Sequence, residues 1–153
     1  MTNTIQILSI EKTGKESSLQ KEHNNKSIKI IDGYFFSRNL DDQKFTKISK
    51  LISNDVSQTI LTKKNVNKVL SSYSNFNWVV EIKFLPGVTD NIATTVKEII
   101  KDNLKSSFKS FELGSTKIIL IKGSKEDITI ISKNEANPLI QTIKIYTFKK
   151  YFF

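Results

Sequence analysis

Any chemistry in this chain would have to come from scattered carboxylates, serines and a single histidine, because the sequence contains no cysteine. That absence excludes disulfides, thiolate zinc sites and a cysteine nucleophile, and it fits a reducing compartment. His23 is the one imidazole, set in the polar run of residues 14–26. A general base or metal ligand needs partners that this run does not arrange, so a solvated loop imidazole is expected. The candidate acid/base carboxylates are Glu81, Asp90 and Glu112. Their places, a strand face, a helix cap and a strand, each give them a structural reason to exist. No serine lies in a G-x-S-x-G elbow. The five glycines stand singly, so neither G-x-G-x-x-G nor G-x-x-x-x-G-K-[ST] occurs, and Gly14-Lys15 lacks both the upstream glycine and the following Ser/Thr. Self-contained catalysis is not expected, and no cofactor or metal is.

The elements that would position these groups are clearest between Trp78 and Leu104. Trp78, Val80, Ile82 and Phe84 alternate with Val79, Glu81 and Lys83, the period of a strand with one buried face and one mostly wet face. Pro86-Gly87 ends it: proline donates no hydrogen bond, and glycine tolerates positive φ. Thr89 or Asp90 can then accept from the orphan amides of a helix start. Ile92, Val96, Ile99, Ile100 and Leu104 follow at helical spacing, with Lys97, Glu98, Lys101 and Asp102 turned away. Because functional contacts favour turns on scaffolded strands, Pro86, Gly87, Thr89, Asp90 and Asn91 are the candidate partner-contact residues.

Downstream, residues 111–122 read as a strand or a bent pair, with Gly114 where a bulge or tight bend would be tolerated. Ser124 opens a short helix with a Ser-x-x-Asp start, and Ile128, Ile131 and Ile130 face inward. Asn137-Pro138 stops it, and residues 139–148 supply another strand. The C-terminal half therefore reads β-α-β-α-β. The N-terminal half repeats most of that order: strands at residues 5–11 and 27–36, then a helix over residues 41–54 with Phe45, Ile48, Leu51 and Ile52 on one face. Asn54-Asp55-Val56-Ser57-Gln58-Thr59-Ile60 aligns with Asn137-Pro138-Leu139-Ile140-Gln141-Thr142-Ile143, which points to an internal duplication. Where the second half has Leu85-Pro86-Gly87-Val88 and a full helix, the first has only a polar run, so its first helix is degraded or missing. The expected division is residues 1–63, a polar joint at 64–77 with Val66, Val69, Leu70 and Tyr73 packing as a short helical turn, and residues 78–153.

A length of 153 residues with 38% hydrophobic content allows one domain or two small units sharing a core. The N-terminus lacks a signal-peptide pattern, and no apolar run approaches the ~18 residues of a membrane span. A cytoplasmic protein without a membrane partner is expected. The net charge of +9 is almost all lysine, Arg38 being the single arginine. Bidentate base and phosphate recognition favours arginine, so the lysines are read as a solvated exterior and nucleic acid is not the expected partner. Aromatic and basic residues do mix at Tyr34-Phe35-Phe36 with Arg38, but only a fragment of the RNA-recognition run is present. Core packing is the expected role of Phe35 or Phe36. The aromatic end, Tyr146 to Phe153, is expected either to dock on something or to have been followed by more protein.

These residues carry a family resemblance. The run VVEIKFLPGVTDNIATTVKEI resembles the opening β-α unit of PurS, the small non-catalytic component of phosphoribosylformylglycinamidine (FGAM) synthase. The similarity continues through Glu112-Leu113-Gly114 and Ala136-Asn137-Pro138-Leu139-Ile140-Gln141, spanning Val79 to about Phe148. The first half resembles the other PurS-like copy of long single-chain FGAM synthases, through Ile28-Lys29-Ile30-Ile31-Asp32-Gly33-Tyr34 and Asn54-Asp55-Val56-Ser57-Gln58. Phe76-Asn77-Trp78 resembles the entry to their second copy. Ser115 departs from the pattern, since a lysine often follows the glycine there. The resemblance implies an α+β fold of two β-α-β-α-β units, the first degraded, forming a pseudo-dimer with antiparallel or mixed sheets and helices on one face. It implies a role in purine biosynthesis as a ligase component with its active sites elsewhere. The implied partners are the synthetase (large) domain and the glutaminase, with self-association as a further expectation. Two other functions are compatible with the residues alone: an RNA-binding α+β domain, and a small-ligand regulatory domain.

Overall fold

Six strands and five helices are found among the described residues of the computed structural model, which are 7–11, 28–53, 58–62, 64–71, 76–104 and 111–152. In chain order they are β1 (Ile7–Glu11), β2 (Ile28–Phe36), α1 (Asp42–Ile52), β3 (Gln58–Leu61), α2 (Val66–Ser71), β4 (Trp78–Phe84), α3 (Asn91–Leu104), β5 (Leu113–Ile121), α4 (Lys125–Glu135), β6 (Gln141–Thr147) and α5 (Phe148–Phe152). His23 and its polar run, Asn54 to Ser57, and Tyr73 lie outside the described residues.

The strands form one sheet in the order β3-β1-β2-β5-β4-β6, and every pairing is antiparallel. The fold class is α+β, as the sequence indicates, and of the two sheet types expected only the antiparallel one occurs. The triplet β3-β1-β2 has the same order as β6-β4-β5, and the two meet at β2 and β5. The repetition holds residue by residue. Setting Gln58-Thr59-Ile60 on Gln141-Thr142-Ile143 carries Leu61 onto Lys144, and hence their partners Leu8 and Glu81 onto each other. Those residues pair with Gly33 and Ile118, which in turn pair with Thr116 and Ile31 across the seam, so the correspondence closes on itself. The same shift sets α1 on α4 with caps matched, Asp41 on Ser124 and Ser53 on Ala136. Asp32 and Lys117, opposite one another at the seam, are the pair that exchanges with itself.

Helices α1, α3 and α4 cover one face of the sheet. There Ile7, Tyr34, Phe36, Ile48, Val96, Ile100 and Phe111 form one cluster, and Val80, Ile82, Ile119, Ile121, Ile128 and Ile131 form another. The expectation of helices on one face is incomplete, because α2 and α5 cover the other. Val66 and Leu70 of α2, and Tyr151 and Phe152 of α5, pack there on Leu8, Ile31, Val79, Ile118 and Leu120. This second layer is why β4 and β5 are buried on both sides. Val79 and Val80, like Ile118 to Ile121, are fully buried, each such side chain contributing about 1.5–3 kcal/mol. The wet face expected for β4 is absent, and Glu81 is buried. Its carboxylate accepts from the Tyr151 hydroxyl (2.9 Å) and lies 3.4 Å from Lys83 Nζ. Tyr151 and Phe152, with Tyr146 and Phe148 beside them, thus dock on the protein's own sheet.

Helix α3 rotates away from the expected stripe. Ala93, Val96 and Ile100 are buried, with Leu104 packed beside them, whereas Ile92 and Ile99 face outward. In α4, Ile128 and Ile131 point in and Ile130 points out. The Ser124 capping box forms as read: Ser124 Oγ accepts from Asp127 N–H, and the Asp127 carboxylate accepts from Ser124 N–H. Gly114 supports no bulge, since β5 runs unbroken against β2. A Cβ there would lie 2.0–2.6 Å from ring atoms of Phe35, so glycine makes room for that ring.

Candidate functional site

The turn after β4 is built by its own residues. Val88 N–H donates to Leu85 C=O at 3.1 Å, with Pro86 and Gly87 between them and Gly87 at φ +82°. Proline at the first central position and a positive-φ glycine at the second make this a type II turn. Asp90 then caps α3, its Oδ1 accepting from Ala93 N–H at 3.0 Å. The same carboxylate reaches β5, where it accepts from Ser115 N–H (2.7 Å) and from the Ser115 hydroxyl (2.8 Å). Ser115 is therefore the anchor that fixes the start of α3 to the sheet. Of the five candidate contact residues, Asp90 is occupied with structure, while Pro86, Gly87, Thr89 and Asn91 are exposed.

A second turn lies beside the first. Leu85 N–H donates to Ile140 C=O at 2.8 Å, which brings Pro86-Gly87 against Pro138-Leu139-Ile140. Asn137 organises that turn: its Oδ1 accepts from Leu139 N–H (3.0 Å), and its carbonyl accepts from Gln141 N–H (2.8 Å). Gln141 Oε1 accepts in return from Asn137 N–H at 2.9 Å. Asn, Pro and Gln are thus accounted for by the turn. Leu139 is not, for its side chain is 82% exposed. Ile92, at the start of α3, is exposed as well. The two turns make one lip with apolar residues outward, and sequence reasoning missed Leu139 because it treated Asn137-Pro138 only as a helix stop. No protein-family model matches the sequence, and no curated protein matches it.

Behind the lip, a cleft of about 250 Å³ opens on the helical face, with Asp32, Tyr34, Ser115 and Lys117 on its floor and Ile82, Phe84, Ile92 and Gln141 around it. It sits on the seam between the two halves, over the Asp32–Lys117 pair. Lys117 Nζ bonds Glu135 Oε2 at 2.8 Å. The Tyr34 phenol is pushed above its ordinary range by burial first, then by the negative charges of Asp32 and Asp90. Among the described residues, no group of three or more His, Cys, Asp or Glu could hold a metal ion, and no helix is long and apolar enough to cross a membrane.

The other sequence candidates fall elsewhere. Glu81 belongs to the buried Tyr151 contact, and Glu112 is exposed, 3.6 Å from Lys97. Phe36 packs near Phe111 with ring centroids 6.0 Å apart, and Phe35 lies half-buried on the opposite face, with Lys83 Nζ 5.0 Å from its ring centre. Asn77 of the Phe76-Asn77-Trp78 entry clamps the end of β5, exchanging hydrogen bonds of 2.9 and 3.0 Å with Gly123.

Proposed function

We propose that this chain is a non-catalytic assembly component of FGAM synthase, holding the synthetase and glutaminase parts in register and contributing surface to the complex. The observation that carries this reading is the lip. The two segments that bear the PurS-like resemblance, around Pro86-Gly87 and Asn137-Pro138, are far apart in sequence yet lie side by side at one end of the sheet. Together they expose Leu139, a residue that packing within the chain does not use. Further support comes from the repeated strand order and matched helix caps, which fit a fused pair of PurS-like units meeting edge to edge.

The test is co-elution of the chain with an FGAM synthetase and its glutaminase on size exclusion. A stable complex is expected, and Leu139→Asp should weaken it at least tenfold while the free chain keeps its melting temperature. Absence of any complex at micromolar concentrations, or a complex indifferent to Leu139→Asp and Ile92→Asp together, would overturn the reading.

A further inference from the structure

The two edges of the sheet, β3 and β6, are built alike and finished differently. Only the outward backbone groups of an edge strand can receive a further strand, and in antiparallel pairing residues alternate between facing the neighbour and facing outward. In β6 that alternation is fixed by a bond at each end: Leu85 N–H donates to Ile140 C=O (2.8 Å), and Phe148 N–H donates to Asn77 C=O (2.9 Å). Both bonds continue the register that sets Glu81 against Lys144, so Thr142, Lys144 and Tyr146 turn their backbone groups to β4. Ile143 and Ile145 turn theirs outward.

In the other half the matching groups are closed. The correspondence that sets Leu61 on Lys144 also sets Ile60 on Ile143 and Thr62 on Ile145. Asn65 Nδ2 donates to Ile60 C=O at 2.8 Å, and Asn65 Oδ1 accepts from Thr62 N–H at 2.7 Å, so one side-chain amide stands where a further strand's backbone would bond. Among the described residues, β6 has no such cover. Ile143 and Ile145 lie on the α4 side of the sheet, where Ile143 packs on the cluster containing Ile128 and Ile131, while Ile145 is 46% exposed. Lys144 and Tyr146 lie on the other side, with Lys144 exposed.

Register and charge select the occupant. The register in which two copies of β6 would satisfy one another's outward groups sets Ile143 against Ile145 and Lys144 against Lys144, and like charges directly opposite are destabilising. Each copy also carries a net charge of +9, which adds repulsion. Residues 141–152 hold Lys144, Lys149 and Lys150, all exposed, and no Asp or Glu. An acidic strand meets the opposite sign. We propose that β6 receives an extended acidic segment of a partner protein as a seventh strand, antiparallel to it, with a glutamate or aspartate facing Lys144 and a β-branched aliphatic residue on each side. Those two aliphatic residues exchange backbone hydrogen bonds with Ile143 and Ile145 and cover the Ile145 side chain. Main-chain bonds then supply affinity, and the side chains supply the choice of segment. The inference does not rest on the assembly role, and its test needs neither the synthetase nor the glutaminase.

The test is amide chemical-shift titration of the full chain with the acetylated and amidated peptide Glu-Thr-Val-Glu-Val-Thr-Glu. Saturable binding with a Kd below about 1 mM is expected, with the largest shifts at Ile143, Lys144 and Ile145 and slowed hydrogen exchange at the Ile143 and Ile145 amides. The same peptide N-methylated at both valines keeps every side chain but loses the two donors, and should bind at least tenfold more weakly. A peptide with lysine at its centre should also bind more weakly, by at least fivefold. Lys144→Glu, at an exposed position, should abolish that preference for glutamate. Equal binding of the N-methylated peptide would overturn the proposal, as would a preference unchanged by Lys144→Glu, shifts centred on β3, or no saturation. Protection of the Ile143 and Ile145 amides that grows with protein concentration in the absence of peptide would overturn it too, because β6 would then pair with a second copy.

Discussion

Replacing Tyr151 by phenylalanine isolates one hydrogen bond on which the second face of the sheet depends. The tyrosine hydroxyl is 2.9 Å from Glu81 Oε2, and both residues are almost wholly buried. Phenylalanine keeps the ring and therefore its contacts with Tyr146 and Phe152, whose centroids lie 5.2 and 5.0 Å away. What disappears is a donor to a buried carboxylate, and hydrogen bonds to charged groups contribute about 1.5–3 kcal/mol net. Lys83, 3.4 Å from the other carboxylate oxygen, remains and limits the loss. The expected destabilisation is about 2 kcal/mol, or roughly 4–8 °C for a chain of this length. Urea unfolding at neutral pH measures it. A double-mutant cycle with Glu81→Gln should return a coupling of about 1–2 kcal/mol. A Tyr151→Phe protein within about 0.5 kcal/mol of the parent, with coupling near zero, would refute the reasoning, because the buried carboxylate would then not depend on α5.

Three further outcomes are expected. Gly114→Ala should cost about 1–3 kcal/mol by urea unfolding, because its methyl would press on the Phe35 ring, and Phe35→Leu in the same chain should recover part of that loss. Asp90→Ala should lower stability by about 3 kcal/mol, combining a lost helix cap with lost bonds to Ser115, whereas Ser115→Ala should cost about half as much; both follow from thermal melts. Tyr34 is neutral below its unfolded value of 10.0 and raised in the fold, so the protonated form is favoured by folding; its contribution is whole below pH 10 and is lost as pH rises through the folded value. Phenolate absorbance should accordingly show a late-titrating component that Tyr34→Phe reduces, Tyr146 supplying the rest, and a titration completed near pH 10 in the native protein would contradict the burial.

The parts of this fold that could be read from sequence are those fixed by local chemistry. The Pro86-Gly87 turn, the Asp90 cap and the Ser124 capping box each bind backbone groups a few residues away, so their letters suffice. The alignment of Gln58-Thr59-Ile60 with Gln141-Thr142-Ile143 likewise anticipates the strand register, because both triplets enter edge strands in the same way. Long-range burial was not legible. Glu81 alternates as a solvent-facing residue would, and nothing near it in sequence signals that Tyr151 covers it from the far end of the chain. Ile92 and Ile99 obey the helical period but sit at the margin of the stripe, where Ala93, a weaker signal, takes the buried place. The cleft was invisible for the same reason: Asp32, Lys117 and Gln141 meet only through the seam and the β4–β6 edge.

The proposed assembly role is tested most directly by FGAM formation from separately prepared synthetase and glutaminase, with this chain added or withheld. Synthesis supplied with free ammonia needs only the synthetase and should be unchanged by the addition. Synthesis supplied with glutamine needs ammonia passed between the two parts, and should rise severalfold with the parent chain and not with Leu139→Asp. Glutamine-dependent synthesis that proceeds equally without the chain, or that responds identically to the altered one, would contradict the account.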